Sequence, residues 1–158
     1  MIEGMIKLNI SELFEKNDIS YKMVDCSGDI FFSALPTNMI QYFNCMGSTI
    51  SLNKTTYGSS YTTLFSVKEI KDEQSTICTK NNLLVIGYGL NGDLLTYSLS
   101  NGKVGYVFHD ELGEEIFDVF EDIYVEMPFG IQEFLEMAIE NENYPIDGTM
   151  AEELIKTL

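Results

Sequence analysis

The dipeptide Asn101-Gly102 stands between two alternating runs, and this constrains how the middle of the 158-residue chain can fold. Before it, Leu95, Tyr97 and Leu99 alternate with Thr96 and Ser98; after it, Val104, Tyr106 and Phe108 resume the alternation. A period of two puts the apolar side chains on one face, so each run predicts a half-buried strand. Asn-Gly between such runs favours a type I′ turn, whose two central residues both need positive φ. The expected unit is an antiparallel hairpin pairing residues 93–99 with 103–109, with Asn101 and Gly102 as its structural turn.

Just upstream, Gly87, Gly89 and Gly92 spell G-x-G-x-x-G directly after the apolar run Leu83-Leu84-Val85-Ile86. In a dinucleotide-binding unit the third glycine opens a helix whose N–H groups face the pyrophosphate. Here Gly92 leads into a strand pattern instead, so the context is strand, tight turn, strand, with no phosphate cradle. Gly92 and Asp93 then read as turn residues, the Asp93 carboxylate accepting nearby backbone N–H groups.

The length suits one domain covering residues 1–158. No apolar run approaches the roughly 20 residues of a membrane-spanning helix. The start, Met1-Ile2-Glu3-Gly4-Met5, has neither the basic segment nor the apolar core of a signal peptide. The expected setting is the cytoplasm. Cys26, Cys45 and Cys78 lie too far apart for a zinc knuckle and are odd in number, which suits reduced thiols.

Charge is distributed unevenly. Residues 1–109 hold ten acids and eight lysines; residues 110–158 hold fifteen acids and one lysine, Lys156, and the chain has no arginine. A surplus of this sign repels nucleic acid and anionic membranes, and attracts a basic partner. The acids Asp110, Glu111, Glu114, Glu115, Asp118, Glu121, Asp122 and Glu126 contain no cation among them and are interleaved with Ile116, Phe117, Phe120 and Tyr124. Two readings stay open: a solvated face over core aromatics, or an acidic rim around the apolar anchors Phe120 and Tyr124 for a basic protein.

Elsewhere the chain reads as short elements. Asn9 caps a helix ending near Asn17, Tyr21–Val24 is a candidate strand, and Pro36 suits the first position of a helix stopped by Gly47. A small strand is expected at Ile50–Leu52, Tyr61–Ile70 is mixed, and Lys71–Asn82 is loop-like. Ile116, Phe117, Phe120 and Tyr124 suggest a short acidic helix, broken by Pro128 and Gly130. Ile131, Phe134, Leu135, Ala138 and Ile139 form the stripe of an amphipathic helix.

His109 is the one histidine, followed by Asp110 and Glu111. Adjacent side chains at a strand end diverge, so these three are not expected to form a metal or acid–base site, and a structural bond in the turn is the favoured role. No nucleophile motif such as G-x-S-x-G accompanies them. No cofactor, no metal and no catalytic residue is expected.

Ile86-Gly87-Tyr88-Gly89, then Asn91-Gly92-Asp93-Leu94-Leu95, then Val104-Gly105-Tyr106-Val107-Phe108-His109-Asp110 resembles the core of the SUKH superfamily. That superfamily takes in yeast regulators of cell-wall synthesis and many bacterial immunity proteins that neutralise polymorphic toxins. Leu35-Pro36 with its helical pattern is similar to the family's N-terminal helix, and Phe129–Ile139, with Glu133-Phe134-Leu135, to its C-terminal helix. The tryptophan that the family often carries before its central strands is missing here. The fold expected is a single α+β domain, a mostly antiparallel sheet with helices packed around it. The function implied is non-enzymatic binding of a cognate toxin, a basic one that acts on nucleic acid. A regulatory scaffold of the yeast type is the alternative, and a small enzyme the third class.

Overall fold

The computed structural model describes residues 9–54, 60–111, 119–140 and 144–158. In chain order these form α1 (Ile10–Lys16), α2 (Thr37–Asn44), β1 (Ile50–Lys54), β2 (Ser60–Leu64), α3 (Val67–Asp72) and α4 (Thr76–Lys80). They continue as β3 (Leu83–Gly89), β4 (Leu94–Ser98), β5 (Val104–Val107), β6 (Tyr124–Glu126), α5 (Ile131–Glu140) and α6 (Gly148–Lys156). All six strands belong to one sheet in the order β1-β2-β3-β4-β5-β6, each antiparallel to its neighbour. The expected α+β class, an antiparallel sheet with helices around it, is what forms.

The hairpin pairs Leu94 with Val107, Leu95 with Tyr106, Thr96 with Gly105 and Tyr97 with Val104. Its turn differs from the expected one. Gly102 takes φ +76°, but Asn101 is not among the residues with positive φ. The loop holds four residues, Leu99 to Gly102, closed by Ser98 N–H to Lys103 O at 2.8 Å and Gly102 N–H to Ser98 O at 2.9 Å. The Asn101 side chain stabilises it instead, its Oδ1 accepting from Lys103 N–H at 3.0 Å. A type I′ turn needs left-handed backbone at both central positions, and here side-chain bonding leaves only the glycine there.

The strands of the hairpin are also more buried than a one-sided sheet would make them. Leu95 and Tyr97 are buried, but so are Thr96 and Ser98, and every residue of β5. Both faces of the sheet centre are therefore covered. The polar residues there are bonded, Thr96 Oγ1 to Gly105 O at 3.2 Å and Ser98 Oγ to two loop N–H groups. Buried hydroxyls are tolerated on that condition.

One face owes its cover to the segment before α6. Tyr144 shares a 2.6 Å hydroxyl–hydroxyl bond with Thr62 of β2, and the Tyr106 hydroxyl donates to Pro145 O at 2.9 Å. Ile146 O lies so close to Gly89 that a Cβ there would sit 1.9 Å from it; a Cβ on Gly87 would sit 2.1 Å from Thr63 O of β2. Two glycines of the G-x-G-x-x-G run thus admit neighbouring backbone rather than phosphate. The residues after Gly92 form β4, with no helix to receive a nucleotide.

Other expectations are met or displaced locally. Asn9 caps α1, accepting Glu12 N–H at 2.9 Å. Pro36 sits one residue earlier than expected, at the N-cap of α2, which ends at Asn44 rather than at Gly47. No strand forms over Tyr21–Val24; Lys22 makes one parallel bridge to Met46. The mixed stretch resolves into β2 and α3, whose Ser66 and Glu69 form a reciprocal capping box, and the loop-like stretch contains α4, capped by Ser75. Of the residues expected to form an acidic helix, Ile116 and Phe117 lie outside the described residues, Phe120–Asp122 is a single 3₁₀ turn, and Tyr124 belongs to β6. The amphipathic helix appears as α5, with Ile131, Phe134, Leu135 and Ala138 buried and Ile139 half-buried.

Candidate functional site

At one end of the sheet, the β3–β4 turn, the end of β5 and the start of α6 meet on the carboxylate of Asp93. Its side chain is fully buried. Oδ1 accepts His109 N–H at 3.1 Å and contacts His109 Nδ1 at 2.7 Å. Oδ2 accepts Gly148 N–H at 2.9 Å and Asn91 Nδ2 at 3.1 Å. Asn91 Oδ1 returns a bond to Asp93 N–H at 3.0 Å. Gly92, at φ +94°, carries the turn beneath the imidazole, whose ring atoms lie 3.6 Å from where its Cβ would be.

A bare carboxylate at this depth would be costly. Burial pushes the Asp93 carboxyl up, but the bonds from His109, Gly148 and Asn91 outweigh it and hold the group below the usual carboxylate range. The role expected for Asp93, a local bond within its own turn, is thus only part of the finding. It joins groups 16 and 55 residues away in sequence.

His109 does make a structural bond, as expected, and Asp110 does not diverge from it as expected, while the side chain of Glu111 lies outside the described residues. His109–Glu111 form a 3₁₀ turn rather than a strand end. The ligand-capable atoms of Asp93, His109 and Asp110 lie within 4.8 Å of one another. Asp93 comes to His109 and Asp110 from the β3–β4 turn, 16 residues before His109 in sequence. The imidazole is oriented from beneath by a buried carboxylate and its side chain is 43% exposed, while Asp110 is exposed. This arrangement can fix a tautomer, present a ring nitrogen outward, or share a cation among three donors.

The predicted partner-binding residues separate into three groups. Glu114, Glu115 and Asp118 lie outside the described residues, as does the side chain of Glu111. Asp110, Glu121 and Asp122 are exposed. Phe120 and Tyr124 are half-buried, stacked at 5.6 Å between ring centroids, and packed against the core. Tyr124 also covers Gly105, where a Cβ would meet its ring at 2.7 Å. Burial, then the Glu126 carboxylate, raises the Tyr124 phenol. Glu126 is committed to the fold, accepting Asn101 Nδ2 at 3.0 Å and the Tyr124 hydroxyl at 3.2 Å.

The register puts these exposed acids near the Asp93 centre. Val107 pairs with both Leu94 and Tyr124, so Asp93, His109 and the Phe120–Asp122 turn flank the same end of the sheet. Val119 adds an apolar side chain there, 48% exposed. No lysine or arginine occurs between Val104 and Ile155. At the other end, around the hairpin loop, a hollow lined by Pro36, Tyr97, Leu99 and Phe129 has Lys103 and Glu133 as its charged groups and no histidine or cysteine.

Sequence reasoning missed Asn91 and Gly148 as members of the centre. Asn91 carried a signal, the Asn-Gly-Asp order of a side-chain-bonded turn. For Gly148 the signal was Asp147 followed by Met150, Ala151 and Leu154 at helical spacing, with Asp147 indeed capping α6 through Met150 N–H at 2.8 Å. No family model, no curated protein and no solved structure matches the chain.

Proposed function

We infer that this chain is a non-enzymatic protein-binding domain, an immunity protein of SUKH type that neutralises a basic toxin through the acidic end of its sheet. The observation that carries the reading is the acid gathered on the β5–β6 side of that end: exposed Asp110, Glu121 and Asp122 beside Val119 and the stacked Phe120 and Tyr124, with no cation between Val104 and Ile155. An apolar patch rimmed by charge of one sign suits a partner of the opposite sign. Toxin domains that act on nucleic acid are basic because they must neutralise phosphates. The sequence resemblance supports the same class.

Co-expression of the tagged chain with the product of the adjacent gene, followed by capture and size-exclusion chromatography, tests it. A stoichiometric complex with a basic toxin, and loss of toxicity in its presence, is expected. A scaffold would instead capture endogenous proteins and leave toxicity unchanged. That outcome, or absence of any complex, contradicts the reading.

A further inference from the structure

The geometry points to a divalent transition-metal site at the Asp93 centre, with Asp93 Oδ1, His109 Nδ1 and Asp110 as ligands and an ion such as Zn²⁺ as occupant. One imidazole and two carboxylates form a donor set that first-row divalent ions accept. The three groups already lie within 4.8 Å of one another, although they come from the β3–β4 turn and the 3₁₀ turn after β5. His109 Nδ1 and Asp93 Oδ1 are 2.7 Å apart. Two ligands at about 2.1 Å from a tetrahedral zinc ion stand about 3.4 Å apart, so the pair must part by about 0.7 Å to admit one.

The surroundings of Asp93 are those of an oriented ligand. Gly148 N–H and Asn91 Nδ2 hold Oδ2, and His109 N–H holds one side of Oδ1. The second lone pair of Oδ1 faces His109 Nδ1, the position the ion takes. Outer bonds of this kind fix a ligand's direction before the metal arrives. Binding replaces the hydrogen bond between Nδ1 and Oδ1 with the cation, the neutral imidazole ligating through Nδ1 and carrying its one proton on Nε2. Asp110 is exposed and closes the set from outside, leaving the remaining coordination positions to water. The surplus of negative charge at this end raises the local cation concentration. This inference is independent of the proposed toxin binding, which needs no metal.

Zinc titration calorimetry on the full chain, stripped with chelator, tests the site. Saturable one-to-one binding is expected. His109→Ala and Asp110→Asn should each weaken it by at least about tenfold, while Glu152→Gln with Glu153→Gln, exposed on α6, leaves it unchanged. Because His109 is the one histidine, the nitrogen-15 spectrum of the imidazole reads the ligand directly: zinc should displace the Nδ1 resonance. Asp93 is left intact because its loss threatens the fold. Absence of saturable binding overturns the proposal. So does zinc binding that survives both substitutions, which would place it on other surface acids.

Discussion

At the scale of single residues, Asp93 sustains the structure more than any motif the sequence advertises. Asp93→Asn keeps the shape but turns one acceptor into a donor facing N–H groups. It should destabilise the chain by about 2–4 kcal/mol, the range for leaving buried charged hydrogen bonds broken, measurable by urea unfolding. The pH dependence has a definite sign. The folded carboxyl lies below its unfolded value of about 3.9, so its stabilisation is complete above that value and is lost as pH falls through the folded one. The stability gap between wild type and variant should therefore narrow on acidification from about pH 6 to about pH 3. A gap independent of pH would contradict this account of Asp93. Gly89 makes a second residue-scale case. Gly89→Ala drives a Cβ into Ile146 O and should cost about 1–3 kcal/mol, seen as a lower melting temperature. Calorimetry with NAD or ATP should show no heat with either protein, because these glycines serve packing. A saturable signal lost in the variant would return the run to phosphate binding.

At the scale of elements, the hairpin is the part read from sequence with least ambiguity, and its turn the part read wrongly. Alternation in β4 and β5 and the amphipathic stripe of α5 are strong local signals, and all three elements form, the two strands within the patterned runs. The turn type was not legible, since Asn101 bonds Lys103 N–H through its side chain instead of adopting positive φ. Gly102 alone is left-handed, so Gly102→Val should destabilise by more than about 1 kcal/mol, whereas Asn101→Ala should cost less. Equal melting temperatures for Gly102→Val and wild type would refute the observed loop. The short helices α3 and α4 were obscured by polar sequence, although Ser66 and Ser75 each cap in the ordinary way. Tyr124 fitted a helical spacing that β6 overrode, because its ring covers Gly105 on the neighbouring strand. Such cross-strand cover depends on register, which a single sequence does not display. The Asp93 centre was out of reach for the same reason: its partners arrive from distant parts of the chain.

At the scale of the whole molecule, the exposed acids Asp110, Glu121 and Asp122 gather at the β5–β6 side of one end of the sheet, while the register brings Lys54 of β1 to the same end at the opposite edge. The chain segment carrying these acids has no lysine, whereas Lys103 lies at the hairpin-loop end. Long-range attraction of a basic partner raises the association rate and is screened by salt, the screening length falling from about 10 Å at 0.1 M to about 3 Å at 1 M. Acids at an interface rim act mainly on association, and acids buried against cations act on dissociation as well. The most direct measurement is stopped-flow association with the captured basic partner across a salt series. It should compare wild type with a variant in which Glu114, Glu115, Asp118, Glu121 and Asp122 are replaced by their amides. The account predicts a rate constant that falls steeply with salt for the wild type, and starts lower and falls less for the variant. A rate constant indifferent to both salt and the substitutions would contradict it and return these acids to the role of a solvated face.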